Sequence, residues 1–464
     1  MKKTLFFLFL FIFCGLSFTS YVFAESKNIF GLHLTQTQDI ESASKVINSG
    51  GGDWGWATLV IRTDQLDKNV WQDFFNKCRE LHIIPIIRIA ATMEQDHWKR
   101  PSISDIDSVS EFLNSLTWPT ARQHIILFNE INHGSEWGGS VDIKSFTDIS
   151  IYSYNKFKSL NKNFYILSTG LDLAAPEKPD QFKSAANVYR EIYVYRPEYF
   201  DHFDALASHS YPNHGYIGTP NETGQHSIRG YQWELNFIKS LGIQKTYPVF
   251  ITETGWPHRE GEKVDNNYYT AETASKFLIT ALDIWQKDPR IIAVTPFIYN
   301  YPYEPFDHFS WLNKEEKLYP SYQKILSLPK TKNSPPQTTI YEIVRNELPF
   351  LLFSDIEYPG KITLKNAGQS IWGEKTICLT PQSTANVTLD AICTSDQLTL
   401  PGRSQTFNYK IKINSSTDHQ DKTFISWENI APLEIVSIND SGSIYSPKTT
   451  FYQKTIQFFN NLFK

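Results

Sequence analysis

Between residues 28 and 328, short apolar runs alternate with longer segments whose apolar positions recur every three or four residues. The runs are "NIFGLHL" (29–35), "WATLVIR" (56–62), "IIPIIRIAA" (83–91), "HIILFNEIN" (124–132), "NFYILSTGLD" (163–172), "FDALASHSYP" (203–212), "PVFITETGW" (248–256) and "IIAVTPFIYN" (291–300). Between them, segments such as "NVWQDFFNKCRELH", "FTDISIYSYNKFKSL" and "AETASKFLITALDIWQK" carry the helical period. Strands that are apolar on both faces and separated by helices imply a parallel sheet covered on both sides. Eight such units in about 300 residues predict a (β/α)8 TIM barrel, an α/β fold, over residues 25–328. The competing open, doubly wound sheet usually carries a glycine-rich loop after its first strand. Here that place reads "LHLTQTQD".

The pattern changes after the barrel. Residues 329–339, within "LSLPKTKNSPPQTT", read as a linker. From 340 to 440 short alternating segments punctuated by turn residues predict a small all-β, antiparallel sandwich. Trp372 is expected in its core, and Cys378 and Cys393, close together in a β-rich region, are expected to pair as a disulfide. Cys78, on a helical pattern, is expected to be a buried free thiol. The tail, 441–464, ends "SPKTTFYQKTIQFFNNLFK", with aromatics near helical spacing, three lysines and no acid. It fits a helix on a membrane surface or one docked on the sandwich.

Residues 1–24, "MKKTLFFLFLFIFCGLSFTSYVFA", have the two lysines, apolar stretch and small-residue ending of a signal peptide cleaved after Ala24. A secreted or cell-surface protein follows, or one held by an uncleaved N-terminal anchor, because the apolar run is long enough to span a bilayer. A net charge of −5 with 20% charged residues gives no basis for a nucleic-acid partner. Cysteines and histidines show no metal-ligand spacing, so neither metal nor cofactor is expected.

Chemistry in a barrel sits at the C-terminal ends of its strands. The first predicted strand carries His33, the third ends in Arg88, the fourth in Asn129-Glu130, the sixth in His209-Ser210-Tyr211 and the seventh in Glu253. Core packing does not explain polar ends on apolar strands, since an unpaired buried charge costs several kcal/mol. Two carboxylates aimed at one mouth are the equipment of glycoside hydrolysis. One must hold a proton while the other stays ionised, so their surroundings must separate their pKa values.

These residues resemble the clan A retaining glycoside hydrolases over about two-thirds of the chain. "TETGWP" resembles the nucleophile segment of the β-1,3-glucanases, and "LKNAGQSIW" with "LPGRSQTFNYKI" resembles immunoglobulin-like modules of surface and secreted proteins. The resemblance implies Glu130 as acid/base, Glu253 as nucleophile, and Asn129 on the sugar 2-hydroxyl. It implies Tyr211 on the nucleophile and His209 orienting the acid/base or the sugar. Arg88 competes with Arg62 for the arginine of the site. Trp137 and Trp256 are candidate sugar-stacking walls, and Tyr299 or Trp311 must replace the tryptophan that usually follows the eighth strand. His33, His133 and Glu136 stand open between subsite and structural roles. The implied partner is a β-linked oligo- or polysaccharide, with a membrane-surface or cell-wall contact open to the C-terminal region. Hydrolysis by double displacement is expected, at a carboxyl separation of about 5–5.5 Å. The alternatives are a glycan transglycosylase and a non-catalytic carbohydrate-binding surface protein.

Overall fold

The computed structural model describes residues 27–349 and, with short internal gaps, 352–438. The expected leader (1–24) and tail (441–464) lie outside the described residues. Eight parallel strands run in chain order: β1 (Gly31–His33), β2 (Gly55–Arg62), β3 (Ile83–Ala90), β4 (Gln123–Leu127), β5 (Phe164–Leu167), β6 (Leu206–His209), β7 (Val249–Glu253) and β8 (Ile291–Val294). The first five form one ladder and the last three another. Single parallel bridges, Leu167 to Ala205 and Phe30 to Val294, join the two ladders into a closed barrel. Around it lie α1 (Ile40–Ile47), α2 (Lys68–Glu80), α3 (Ile103–Asn114), α4 (Ile143–Leu160), α5 (Ala185–Tyr195), α6 (Gly230–Ser240), α7 (Ala271–Gln286) and the short α8 (Gln323–Leu326).

The apolar runs explain this architecture. Successive strand side chains point to opposite faces, so on β3 Ile84 and Ile86 fill the barrel with Trp56, Ile126 and Phe250. Ile83, Ile87 and Ile89 face outward, toward the helices. Local capping starts the helices where the period begins. The Asp67 carboxylate accepts from the N–H groups of Asn69 and Val70 at the head of α2. Ser102 and Asp105 form a reciprocal capping box on α3. Cys78 is buried on α2 as a free thiol.

The C-terminal part is all-β. Strands β9 (Tyr341–Glu347), β10 (Glu357–Asn366), β11 (Val387–Leu389) and β12 (Ser404–Ile413) form an antiparallel sheet in the order β9-β10-β12-β11. Along β12 exposed and buried positions alternate, and Phe407, Tyr409 and Ile411 join Ile362 and Leu364 over the buried Trp372 and Trp427. Cys378 and Cys393 face each other on a two-stranded ladder and are joined as a disulfide.

The segment expected as a linker is bound to the barrel rather than spanning free space. Lys332 bridges Asp53, and the Asn333 side chain donates to the carbonyls of Asn28 and Trp54 and accepts from the Asn28 N–H. Ala121 N–H donates to the Pro336 carbonyl, and Gln337 donates to that of Pro119. From the all-β part, the buried Gln369 donates to the Thr120 carbonyl at 2.8 Å. Asp53 and Thr120 precede β2 and β4, so the appendage sits on the N-terminal face of the barrel, opposite the mouth.

One prediction follows from the disulfide, whose partners are 15 residues apart. Replacing both cysteines with serine should cost the all-β part about 3 kcal/mol, the chain-entropy value for a loop of that length. Urea unfolding with a tryptophan signal, compared between the oxidised wild type and the double variant, measures it.

Candidate active site

A strand that ran on past β4 would aim Asn129 and Glu130 at opposite faces. It does not run on. Phe128 and Glu130 take left-handed φ values of 69° and 30°, unusual for residues with a Cβ and a common form of strain at functional sites. The strand therefore ends at Leu127, well before the apolar run expected over 124–132. The turn brings both side chains to the mouth, and the Glu130 N–H donates to the Gly170 carbonyl at 2.9 Å. Gly170 is required there, because a Cβ would lie 2.2 Å from Cδ2 of the His209 imidazole. Beyond β7, Gly255 with φ 132° lets the chain turn away after Thr254. The Thr254 hydroxyl ties this turn to the Ser210 carbonyl at 2.7 Å.

The strand ends then converge. Arg88 Nη1 donates to Asn129 Oδ1 at 2.5 Å and also to Glu253 Oε1. The Tyr211 hydroxyl donates to Glu253 Oε2 at 3.2 Å. His209 Nδ1 is 2.8 Å from Glu130 Oε1 and 3.8 Å from Glu253 Oε2. An oxygen of Glu130 and one of Glu253 both lie within 4.8 Å of each other and of His209. The structure thus brings Arg88, Asn129, Glu130, His209, Tyr211 and Glu253 together. Arg62 is elsewhere, paired with its neighbour Asp64 at 2.6 Å.

Electrostatics separate the acids. Burial alone would raise the Glu253 pKa, but His209, Arg88 and His33 face it and bring it down to about 2. It is an ionised carboxylate at any working pH. Burial also acts on His209, pulling it down, but Glu253 and Glu130 outweigh that and raise it. His33, whose Nε2 is 3.7 Å from Glu253, is driven by burial to about 3 and is neutral. Neither ring nitrogen meets a side-chain hydrogen-bond partner among the described residues. A third acid completes the group: Glu136 accepts from Asn129 Nδ2 at 3.2 Å. Burial, and then the neighbouring Glu130, push its pKa up to about 7. His133 turns aside to pair with Asp172 at 2.8 Å.

Glu130, His209 and Glu253 are close enough to share a metal ion. Arg88 already occupies Glu253 Oε1, and the His209 nitrogen that faces both acids is engaged by Glu130.

The four aromatic residues expected at the sugar are not open faces. Trp137 is buried, its indole N–H given to Ser145 Oγ and its ring against Phe128 and Phe146. Trp256 is buried with its N–H on the Gly218 carbonyl at 2.7 Å and its ring against Phe277. Trp311 stacks on Tyr322 at 4.6 Å, and Tyr299 is in the same core. Each is held by packing, and for two of them a protein acceptor takes the N–H that a buried indole must satisfy. Other rings stand beside the carboxylates. Phe297 lies edge-on to His33 at 5.2 Å, and Tyr216 and Phe309 pack on Tyr211. Phe297 was hidden in an apolar run that read only as strand. Tyr216 lies beyond β6, in a loop with no periodic signal.

No family model matches the chain, and no curated protein matches it. Solved structures follow its path loosely. A glucosidase from Croceicoccus marinus is 9% identical, with 84% of this chain and 97% of that one covered, at a TM-score of 0.47. A β-glucanase from Saccharophagus degradans, in complex with cellotetraose, is 11% identical over 65% of this chain and 86% of that one, at 0.40. An FMN-binding β-glucuronidase from Facaelibacterium prausnitzii is 10% identical over 89% of this chain, at 0.40, and the chain spans 56% of its length. The fold assignment rests on the closed ring of parallel strands described above.

Two predictions follow. A carboxyl lowered from 4.5 to about 2 on folding adds stability that is complete above the higher value and lost as pH falls through the lower. Arg88→Ala should therefore flatten the acid limb of stability between pH 4.5 and 2. At pH 7 it should cost about 3–5 kcal/mol, the penalty for orphaning one member of a buried pair. Urea unfolding at pH 7 and pH 3 tests both effects. Gly170→Ala should displace the His209 ring and cost about 1–3 kcal/mol by overpacking, read from the thermal midpoint and the histidine proton resonances.

Proposed function

We propose that this protein is a retaining glycoside hydrolase acting on β-linked poly- or oligosaccharide. The observation that carries the reading is a pair of acids from two strands, with oxygens within 4.8 Å, one of which is pinned as an anion by a guanidinium. Separations near 5–5.5 Å suit a carboxylate that attacks the sugar itself, whereas 6.5–9.5 Å leaves room for a water between. Glu253 attacks the anomeric carbon as the C–O bond to the leaving group breaks, and Glu130 gives its proton to the departing oxygen. Glu130 then takes a proton from water, which attacks the same carbon and frees Glu253. Tyr211 and Arg88 hold the nucleophile's two oxygens, so its attacking lone pair is aimed before substrate arrives. A sugar hydroxyl in place of that water makes the same machinery a transglycosylase.

We also place the protein outside the cytoplasm, on the signal-like leader and on a cross-strand disulfide of the kind exported proteins keep. Contact with a membrane or cell wall through the C-terminal region belongs to the same proposal.

The test is product release from β-glucans, mannan, xylan and galactan, with Glu253→Ala and Glu130→Ala alongside. One polymer should be cleaved with its anomeric configuration retained, as read by proton NMR. Glu130→Ala should lose about 10²–10⁴-fold in rate, and Glu253→Ala should lose turnover altogether. Inverted product overturns the double displacement. Longer oligosaccharides in place of shorter ones identify transfer. Binding to a polymer without release, unchanged in Glu253→Ala, leaves a carbohydrate-binding protein.

A further inference from the structure

The mouth is not without open rings. The loop after β8 carries Phe297, Tyr301, Tyr303, Phe306 and Phe309 in quick succession. Phe297 is the innermost. Its N–H donates to the carbonyl of Thr254, the residue after Glu253, at 2.9 Å, and its ring lies edge-on to His33, which is 3.7 Å from Glu253. Phe306 stands one ring further out. Its centroid is 5.2 Å from that of Phe297 and 5.4 Å from that of Tyr301, at interplanar angles of 88° and 69°, and 41% of it stays exposed. Tyr303 is more exposed, at 58%, but Lys314 Nζ lies over its ring at 5.7 Å. Phe306 is therefore the open aromatic face that is continuous with the carboxylates.

The loop holds that face still. The Phe309 N–H closes a tight turn on the Phe306 carbonyl at 2.9 Å. The carboxylate of the buried Asp307 accepts the Glu262 N–H, the His258 N–H donates to the His308 carbonyl at 2.7 Å, and Lys263 pairs with Glu304 at 2.8 Å. These ties fasten it to the loop after β7. A single exposed apolar side chain needs no explanation. One that is propped by two rings, fastened to a neighbouring loop and set beside a buried pair of acids has one in a ligand.

The ring of strands says which part of a glycan would lie there. β4 and β8 are four strands apart in a closed barrel of eight, so Glu130 and Phe297 stand across the mouth from each other, while Glu253 on β7 is beside Phe297. This orientation rests on the glycosidase reading, in which Glu130 gives its proton to the departing oxygen. The leaving part then lies toward β4 and the retained part toward β8. We propose that Phe306 is the stacking face for the second sugar of the retained part, which makes the site selective for β-linked chains with at least two pyranose rings on that side. The apolar face of a pyranose packs on an aromatic face, and a phenyl ring, with no donor of its own, selects by that contact alone. Because the loop is already fixed, binding loses little entropy in ordering it.

The experiment uses the full-length protein and 4-nitrophenyl β-glycosides of one and two sugars, in the gluco, manno, xylo and galacto series. It reads the ratio of kcat/KM for two sugars to that for one. The wild type should favour two. Phe306→Ala should lower the ratio about 2–10-fold, the size of one aromatic contact, and Phe306→Trp should restore it. A ratio near one in the wild type, or one unmoved in Phe306→Ala, overturns the proposal. So does an equal fall on both substrates, the mark of a loop held merely in shape. A second measurement needs no turnover. In ¹³C-phenylalanine-labelled Glu130→Gln protein, the ring signal lost on adding Phe306→Ala identifies Phe306, and a β-linked trisaccharide from one of the four series should shift it. No shift with any of them overturns the stacking face. A shift without cleavage of any glycoside or polymer keeps the stacking face and removes the glycosidase reading.

Discussion

A carboxylate buried at the mouth of a closed barrel is stable as an anion only beside a fixed cation, and Arg88 supplies it. The same guanidinium nitrogen holds the Asn129 carbonyl oxygen and a Glu253 oxygen. Strands three, four and seven are thereby locked at their C-terminal ends by one side chain. Much of the site depends on that lock. With Glu253 committed to the anionic form, Tyr211 has an acceptor, the His209 pKa is raised, and the same imidazole faces Glu130.

The barrel could be read from the chain because each strand is a dense apolar run and each helix has the helical period. Those signals are local and repeated. The convergence of the polar strand ends could be read for the same reason: Arg88, Asn129-Glu130, His209 and Glu253 break apolar runs at the point where a strand must stop. What could not be read was the company that particular side chains keep across the fold. Trp137, Trp256 and Trp311 carry no mark in sequence that separates a stacking face from a packed one. Their burial is decided by Ser145, Gly218 and Tyr322 across the fold. Glu136 was equally ambiguous, since its environment depends on two turns that no periodicity announces. His33 reaches Glu253, and Phe297 reaches His33, only once β1 and β8 close the ring.

Strain and packing share the work at the mouth. The left-handed Phe128 and Glu130 are tolerable because the turn they make is bound on the far side by Gly170, and Gly170 in turn must be bare to admit His209. Three segments far apart in sequence thus specify one another. A side chain at any of them is judged by the other two.

The appendage rests on the end of the barrel where strands begin, through Asp53, Pro119, Thr120 and Ala121. The two ends of the molecule consequently point in opposite directions along the barrel axis. The carboxylates and the second half of the protein therefore never compete for the same face.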